Sequence, residues 1–244
     1  LDDLALRLPV DGAPKLLDPP APKRLELPHR VADNPYTANI DRAIAQGPIR
    51  DAIHAVQPAC VRFPNASGCC ISPDGVILTA AHVAGKLGRR MIATFPDGSQ
   101  HMATCTAFSD YLDLAVMKIE GEHGLPYASL APDAPEVGDW ICAIGQPGGH
   151  TPTGEPTGYG AFYVSTGQIR GFKTDRLGYQ MLGAAKHDAW TYWGHSGCPL
   201  FNQYGQICAM HNSWDSTTAM RHGVTYEAIL HFLKESKVDF AMSE

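Results

Sequence analysis

Short apolar runs separated by turn residues fill the chain from about residue 60 onward. Runs of this kind, bounded by Gly, Pro, Asp or Asn, predict β-strands rather than helices. Two Pro-Asp-Gly triplets, at 73–75 and 96–98, provide turns in the first half of the chain. The strands predicted in this half are 68–71, 76–80, 91–95, 101–108 and 114–119.

A second set of predicted strands follows an acidic break with several prolines at 121–138. Its members are 140–144, 162–169, 179–182, 206–210 and 222–224. Two β-rich halves of similar size predict an all-β chain made of two sandwiches or two barrels. We place the first β-rich domain at 48–130 and the second at 131–244.

Helical periodicity is confined to two short segments. At 48–56, a proline at the first position is followed by apolar residues at i, i+3, i+4 and i+7 spacing. At 226–235, one apolar stripe predicts a C-terminal helix, and its members are Tyr226, Ile229, Leu230 and Leu233. Residues 1–47 precede both domains as a Pro-rich arm, which we expect to be extended, because its prolines disfavour helix and central strand.

The composition excludes two classes of function. The chain has 244 residues, of which 18% are charged, and its formal net charge is −6. Nucleic-acid binding requires a basic patch, so no general affinity for nucleic acid is expected. The apolar runs are shorter than the roughly 18 residues of a membrane span, so no span is expected. The chain begins at Leu1 without an apolar leader, and we therefore expect a processed fragment.

The seven cysteines indicate buried thiols rather than a metal site. Their number is odd, and no two of them have the Cys-x-x-Cys spacing of zinc sites. Most lie within apolar segments, where a free thiol behaves as a small hydrophobic side chain. The eleven histidines include no His-Glu-x-x-His motif. No metal and no cofactor is therefore predicted.

Three motifs offer the residue types of a catalytic triad. His82 lies in Thr-Ala-Ala-His-Val, Asp113 opens Asp-Leu-Ala-Val-Met-Lys-Ile, and Ser196 lies in Trp-Gly-His-Ser-Gly-Cys-Pro-Leu. A serine hydroxyl is a poor nucleophile unless a neutral imidazole accepts its proton. A buried carboxylate on the other ring nitrogen fixes the tautomer of that imidazole. The turn at 194–197, with a glycine at each end, can aim the N–H groups of Gly194 and Ser196 at one oxyanion.

The chain resembles the trypsin-like serine peptidases, and among them the HtrA/DegP-like bacterial branch. The stretches that carry the resemblance are 68–83, 113–119, 138–148 and 187–200, and it extends over about 48–235. It implies two packed six-stranded antiparallel β-barrels, with a short N-terminal helix and a C-terminal helix. It also implies export to the periplasm or the outside, and an oligomer formed through the arm at 1–47. No PDZ module follows within the chain, so PDZ-regulated roles are not expected.

The resemblance implies a serine endopeptidase that hydrolyses peptide or protein substrates through an acyl-enzyme. In that mechanism His82 is the base, Asp113 orients it, Ser196 is the nucleophile, and the amides of Gly194 and Ser196 form the oxyanion hole. The chain departs from the family pattern at two positions of the nucleophile loop. Cys198 stands where a second glycine is usual, and His195 replaces the usual Asp or Asn.

The substrate pocket is expected to be lined by Thr191, His211, Asn212 and Ser213. Threonine and histidine at these offsets from the nucleophile resemble the staphylococcal-type glutamyl endopeptidases. A histidine beside a hydroxyl can hydrogen-bond a carboxylate or an amide, which predicts Glu or Gln before the scissile bond. Two tryptophans, Trp190 and Trp193, leave open a narrower pocket for small residues, and His211 could instead pack between strands.

Other interpretations compete with an active peptidase. A lipase-type α/β-hydrolase requires Gly-x-Ser-x-Gly and the order Ser, acid, His, and the chain has neither. A Cys198 nucleophile is excluded because this residue lies two positions beyond the serine. One remaining alternative is a catalytically silent or activator-dependent module that binds a partner through the same cleft. Another is that the Pro-rich arm at 1–38 is the functional part and docks the domain to a partner. The segment 148–160 is either a surface loop or a mobile loop that orders with substrate.

Overall fold

Two closed β-barrels dominate this computed structural model, which describes residues 4–5, 34–173, 184–214 and 220–244. The first barrel consists of β2 (Cys60–Phe63), β3 (Ala66–Cys70), β4 (Val76–Thr79), β5 (Arg90–Thr94), β6 (Gln100–Ser109) and β7 (Leu114–Ile119). The second consists of β8 (Trp140–Gly145), β9 (Tyr163–Lys173), β10 (Ala184–His187), β11 (Pro199–Phe201), β12 (Ile207–Trp214) and β13 (Arg221–Val224). The strand β1 (Leu4–Ala5) pairs with β9 outside this ring. The all-β double-barrel prediction is confirmed.

The order of the first barrel, β2-β3-β4-β7-β6-β5, brings two motifs together. Strands β4 and β7 are antiparallel neighbours, and Thr79 pairs with Ala115 at their common end. The chain that leaves β4 therefore lies beside the chain that enters β7. His82 is in the short helix α3 (Ala81–Ala84) after β4, and Asp113 directly precedes β7. Antiparallel pairing thus places these residues at one barrel rim.

The second barrel positions the loop that contains Ser196 by the same principle. The β11–β12 hairpin pairs Pro199 with Met210. Beyond that pair, the Gly197 N–H donates to the His211 carbonyl, and the His211 N–H donates to the Cys198 carbonyl, both at 2.9 Å. The residues before β11 therefore run alongside the residues that follow Met210. This pairing holds the Ser196 loop against the end of β12.

The α-helices precede, interrupt and follow the barrel strands along the chain. The α-helices of the described residues are α1 (Thr37–Ala43), α2 (Pro48–Val56), α3 and α4 (Tyr226–Glu235). The predicted helices at 48–56 and 226–235 coincide with α2 and α4. Thr225 caps α4, because its hydroxyl accepts a hydrogen bond from the Ala228 N–H at 3.2 Å.

Some elements differ from the sequence predictions. Helix α1 lies within the segment expected to be an extended arm, and most of the rest of that arm, 1–3 and 6–33, lies outside the described residues. The predicted strand at 179–182 also lies outside them. The pattern did not predict the short strands β2, β10 and β11. All seven cysteines are buried free thiols, as expected. Within the described part of the chain, no helix is long and apolar enough to span a membrane.

Helix α1 is attached to the second barrel through Asn39. Its side-chain amide donates to the carbonyls of Ala161 and Phe162, each at 3.0 Å. Phe162 has a φ of 51°, in the left-handed region that a bulky residue rarely adopts. The two bonds therefore stabilise the unusual backbone at the start of β9.

We expect Asn39→Ala to lower the free energy of unfolding by about 1–2 kcal/mol, because it removes both hydrogen bonds. Urea unfolding measures this change. Thr37→Ala, in the same helix, serves as the control and is expected to stay within about 0.5 kcal/mol of the parent. Equal effects of the two substitutions would contradict the attachment through Asn39.

Candidate active site

His82 and Asp113 form a hydrogen-bonded pair at the rim of the first barrel. The His82 Nδ1 atom lies 2.9 Å from both carboxylate oxygens of Asp113. The backbone N–H of His82 also donates to Asp113 Oδ1, at 3.0 Å. Asp113 adopts a φ of 55°, a conformation that Asp tolerates better than most residues. The carboxylate is thereby fixed to both the ring and the backbone of the histidine.

Pairing shifts the pKa values of both side chains. The hydrogen bond that His82 donates to Asp113 raises the pKa of His82 above its ordinary value of 6.5, although partial burial opposes this. Burial raises the pKa of Asp113, but the hydrogen bonds from the side chain and backbone of His82 outweigh it, so that the pKa is lowered. The Asn212 side-chain amide adds a further hydrogen bond to Asp113 Oδ2, at 3.1 Å. Asp113 is therefore held as a carboxylate.

Ser196 faces the same cavity as His82, from the other barrel. This cavity has a volume of about 570 Å³. The Ser196 hydroxyl donates to the Asn212 carbonyl at 3.5 Å, which is a long and weak bond. Among the described residues, no hydrogen bond joins the Ser196 hydroxyl to His82. The nucleophile candidate and the His82–Asp113 pair thus share one cleft, and the hydroxyl has no strong partner.

The backbone before Ser196 is held in one orientation. The Gly148 N–H donates to the Trp193 carbonyl at 2.6 Å. A trans peptide points its C=O and the following N–H in opposite directions. The Gly194 N–H therefore points away from Gly148, and Gly194 lines the cavity together with Ser196.

Only glycine fits at position 194. Its φ is 104°, and a Cβ atom there would overlap the Gln146 carbonyl oxygen. Thr157 stabilises the segment that contains Gly148, because its hydroxyl donates a hydrogen bond to the Gly148 carbonyl at 2.7 Å. The loop at 148–160 thus folds back onto the segment that orients the Gly194 peptide.

Ser67, on β3, joins the first barrel to the loop that contains Ser196. Its hydroxyl donates to the Gly194 carbonyl at 2.8 Å and accepts from the Gln146 N–H at 3.0 Å. Its backbone N–H donates to the Ser196 carbonyl, also at 3.0 Å. Ser67 is completely buried. One serine of the first barrel therefore fixes both segments that shape the Ser196 site.

The two departures from the family pattern are both buried. The His195 ring packs edge-on against Trp190, with ring centroids 5.6 Å apart. A Cβ atom on Gly145 would overlap that ring, so a glycine is required at this position. Burial raises the pKa of the Cys198 thiol. A buried, protonated thiol is inert, and Cys198 is therefore unsuited to act as a nucleophile.

The four residues predicted for the substrate pocket, Thr191, His211, Asn212 and Ser213, all line the cavity. The other lining residues are His82, Trp190, Tyr192, Trp193, Gly194, Ser196, Trp214 and Arg221. Trp193 and Trp214 are largely exposed at its mouth.

Sequence reasoning missed two of the residues that shape this site, Ser67 and Arg221. Ser67 is an unremarkable small residue in a β-strand, and no local motif marks Arg221. Asn212 was expected only in the pocket, but its amide also binds Asp113. Among the described residues, no group of three or more His, Cys, Asp and Glu side chains is arranged to hold a metal.

Two six-stranded barrels with a His–Asp pair and a serine facing one cleft define the class of chymotrypsin-like folds. The trypsin-like peptidase domain family matches residues 66–210. The chain belongs to this family.

Two similar proteins are described as serine proteases. The chain is 34% identical over 159 residues to a probable periplasmic serine endoprotease, DegP-like, of Chlamydia pneumoniae, which covers 64% of this chain and 30% of the relative. It is 32% identical over 204 residues to serine protease HTRA1 of Xenopus tropicalis, which covers 77% of this chain and 43% of the relative. The chain thus spans less than half the length of these two relatives.

Solved structures show the same fold. The serine endoprotease from Yersinia pestis superposes with a TM-score of 0.63 at 23% identity, over 79% of this chain and 67% of that one. The HtrA-type protease AlgW with tripeptide superposes with a TM-score of 0.64 at 22% identity, over 77% of this chain and 62% of that one.

We expect Ser67→Ala to lower kcat by about tenfold or more, because it would misplace the Gly194 N–H, which the sequence analysis predicts to be an oxyanion donor. The change leaves the Gly194 carbonyl and the Gln146 N–H without the Ser67 hydroxyl. Steady-state kinetics on a peptide substrate and thermal unfolding together measure the effect.

Ser129→Ala is the matched control, since Ser129 is also buried and bonds to the Ser243 hydroxyl at 2.6 Å. It is expected to reduce stability without lowering kcat. If Ser67→Ala stays folded and keeps the parent kcat, the junction through Ser67 does not govern the site.

Proposed function

We propose that this chain is a serine endopeptidase in which Ser196 is the nucleophile and His82 the general base. The Ser196 oxygen attacks the carbonyl carbon of the scissile peptide, and its proton passes to His82 Nε2. The N–H groups of Gly194 and Ser196 bind the resulting oxyanion. The proton then passes from His82 to the leaving amine as the C–N bond breaks. A water molecule, deprotonated by His82, hydrolyses the acyl-enzyme and restores Ser196.

The observation that best supports this proposal is the geometry of the His82–Asp113 pair. Nδ1 of His82 is engaged by the carboxylate at 2.9 Å. Nδ1 must therefore carry the proton, which leaves Nε2 free to accept one. Asp113 stabilises the imidazolium that forms during the reaction. The orientation of the Gly194 N–H adds support for a preformed oxyanion hole.

We further propose a preference for Glu or Gln before the scissile bond. His211 and Thr191 line the cavity next to Ser196, and both can donate a hydrogen bond to an acceptor in the substrate side chain. No carboxylate is among the described residues that line this cavity. A pocket without a carboxylate is poorly suited to Lys or Arg. The aromatic walls at Trp190 and Tyr192 would pack against the methylene groups of a Glu or Gln side chain.

An activator-dependent binding module is the second candidate, and one observation favours it. The Ser196 hydroxyl donates to the Asn212 carbonyl rather than to His82. A rotation about one side-chain bond would be required to bring it toward the imidazole. Because that hydrogen bond is long and weak, breaking it by rotation costs little free energy. The active peptidase is therefore the better-supported function.

Digestion of a denatured protein mixture tests the proposal. Mass spectrometry of the products is expected to find cleavage after Glu or Gln, and Ser196→Ala is expected to abolish it. Cleavage without enrichment of Glu or Gln would contradict the proposed preference but would still support the proposed peptidase activity. No cleavage by the folded parent protein would favour the binding module.

The location and the assembly of the chain are further parts of the proposal. We propose export, since the Chlamydia relative is described as periplasmic, and an oligomer formed through the arm at 1–47. Light scattering of the full chain tests the assembly, and the mass of a single chain would count against it.

The pH dependence of kcat/KM provides a separate prediction. Activity is expected to fall as the pH drops through the pKa of His82, because imidazolium cannot accept the Ser196 proton. That pKa is raised by Asp113, so half of the activity is expected to be lost at a pH above 6.5.

Asp113→Asn is expected to move this acid limb to lower pH and to reduce the rate by about 10³-fold or more. Rates measured from pH 5 to 9 on one peptide would show both effects. An acid limb that stays in place in the variant contradicts the role of Asp113.

A further inference from the structure

Arg221 contributes a positive charge to the substrate cavity. It opens β13, where it pairs with His187 of β10 on one side and Trp214 of β12 on the other. Its Nε atom is buried and has no hydrogen-bond partner among the described residues. Apart from the weakly basic histidines, no other ionisable side chain with a charge near pH 7 lines the described cavity. A buried guanidinium N–H without a partner is costly, unless a ligand supplies an acceptor.

A pair of buried histidines orients the second donor of the cavity. His187 Nε2 lies 3.0 Å from His211 Nδ1, so exactly one of these two atoms carries the shared proton when both rings are neutral. His187 Nδ1 is buried without a partner among the described residues. If His211 donated this bond, the His187 Nδ1–H would be a buried donor with nothing to bind.

The arrangement in which His187 donates this hydrogen bond is less costly. His187 Nε2–H donates to His211 Nδ1, and the proton of His211 then resides on Nε2. No described residue bonds to that nitrogen, and His211 lines the cavity. His187 is therefore a positioning residue that makes His211 a hydrogen-bond donor toward the substrate.

We propose that Arg221, together with the Nε2–H of His211, forms a carboxylate site, so that the pocket selects Glu over Gln. This inference rests on the proposed function, because it names the substrate side chain of the same site. His211 alone does not make the distinction, since a neutral N–H donor serves an amide oxygen as well as a carboxylate. Burial, followed by the neighbouring His187, His195 and Arg221, lowers the pKa of His211 and keeps it neutral. The charge of Arg221 must therefore distinguish a Glu side chain from a Gln side chain.

Two peptides that differ only in Glu or Gln before the scissile bond test the proposal. For the parent protein we expect kcat/KM to favour the Glu peptide by about tenfold or more, as for a charge-assisted bond relative to a neutral one. Arg221→Met is expected to bring the ratio close to one. Arg221→Lys keeps the charge and is expected to keep the preference in part.

Arg90→Met is the matched control, because it removes one positive charge from an exposed position on β5. It is expected to leave the Glu-to-Gln ratio unchanged. A parent ratio near one would overturn the proposal. So would an Arg221→Met variant in which both peptides lose activity in parallel, since that would mean that Arg221 only supports the structure.

Binding separates this inference from the proposed function. Calorimetry with Ser196→Ala and product peptides that end in Glu or Gln needs no catalysis. Tighter binding of the Glu peptide, lost on adding Arg221→Met, supports the carboxylate site even if the parent protein hydrolyses nothing. Equal binding of the two peptides, together with active hydrolysis, overturns the site and leaves the peptidase intact.

Discussion

The site depends on a junction between two barrels that passes through the buried hydroxyl of Ser67. The His82–Asp113 pair belongs to one barrel, and Ser196 with the Gly194 peptide belongs to the other. The Ser67 hydroxyl donates to the Gly194 carbonyl and accepts from the Gln146 N–H, and the Ser67 backbone N–H donates to the Ser196 carbonyl, at 2.8–3.0 Å. Buried polar groups must be paired, so these bonds hold the loops in one arrangement. The relative position of the two halves of the site follows from them.

The electrostatics of the cleft divide into two parts. At the rim, Asp113 is held as a carboxylate and raises the pKa of His82. Deeper in the second barrel, burial keeps His187, His195 and His211 neutral by lowering their pKa values, to about 3 for His187 and about 4 for His195. Arg221 then provides the positive charge near these neutral rings. In the proposed mechanism, His82 at the rim transfers protons, and the residues deeper in the second barrel bind the substrate side chain.

Local patterns were sufficient for much of this fold. The helix at 48–56 and the strand at 114–119 were predicted with the bounds of α2 and β7, because their periodicity and flanking turns are unambiguous. His82, Asp113 and Ser196 were predicted from three short motifs taken together, and the structure brings the three residues to one cleft. Strand β10 was missed since Ala-Ala-Lys-His lacks the β-branched residues of a typical strand.

Residues whose importance comes from distant partners could not be read from the sequence. Ser67 lies 127 positions from Gly194, its hydrogen-bond partner. No local sequence pattern indicates that these two residues are in contact.

The most direct test of the central claim is intact-mass analysis after labelling with a fluorophosphonate. A single adduct on the parent protein that is absent from Ser196→Ala is the predicted result. A folded parent protein without an adduct, or an adduct that persists in Ser196→Ala, would contradict the assignment of Ser196 as the nucleophile.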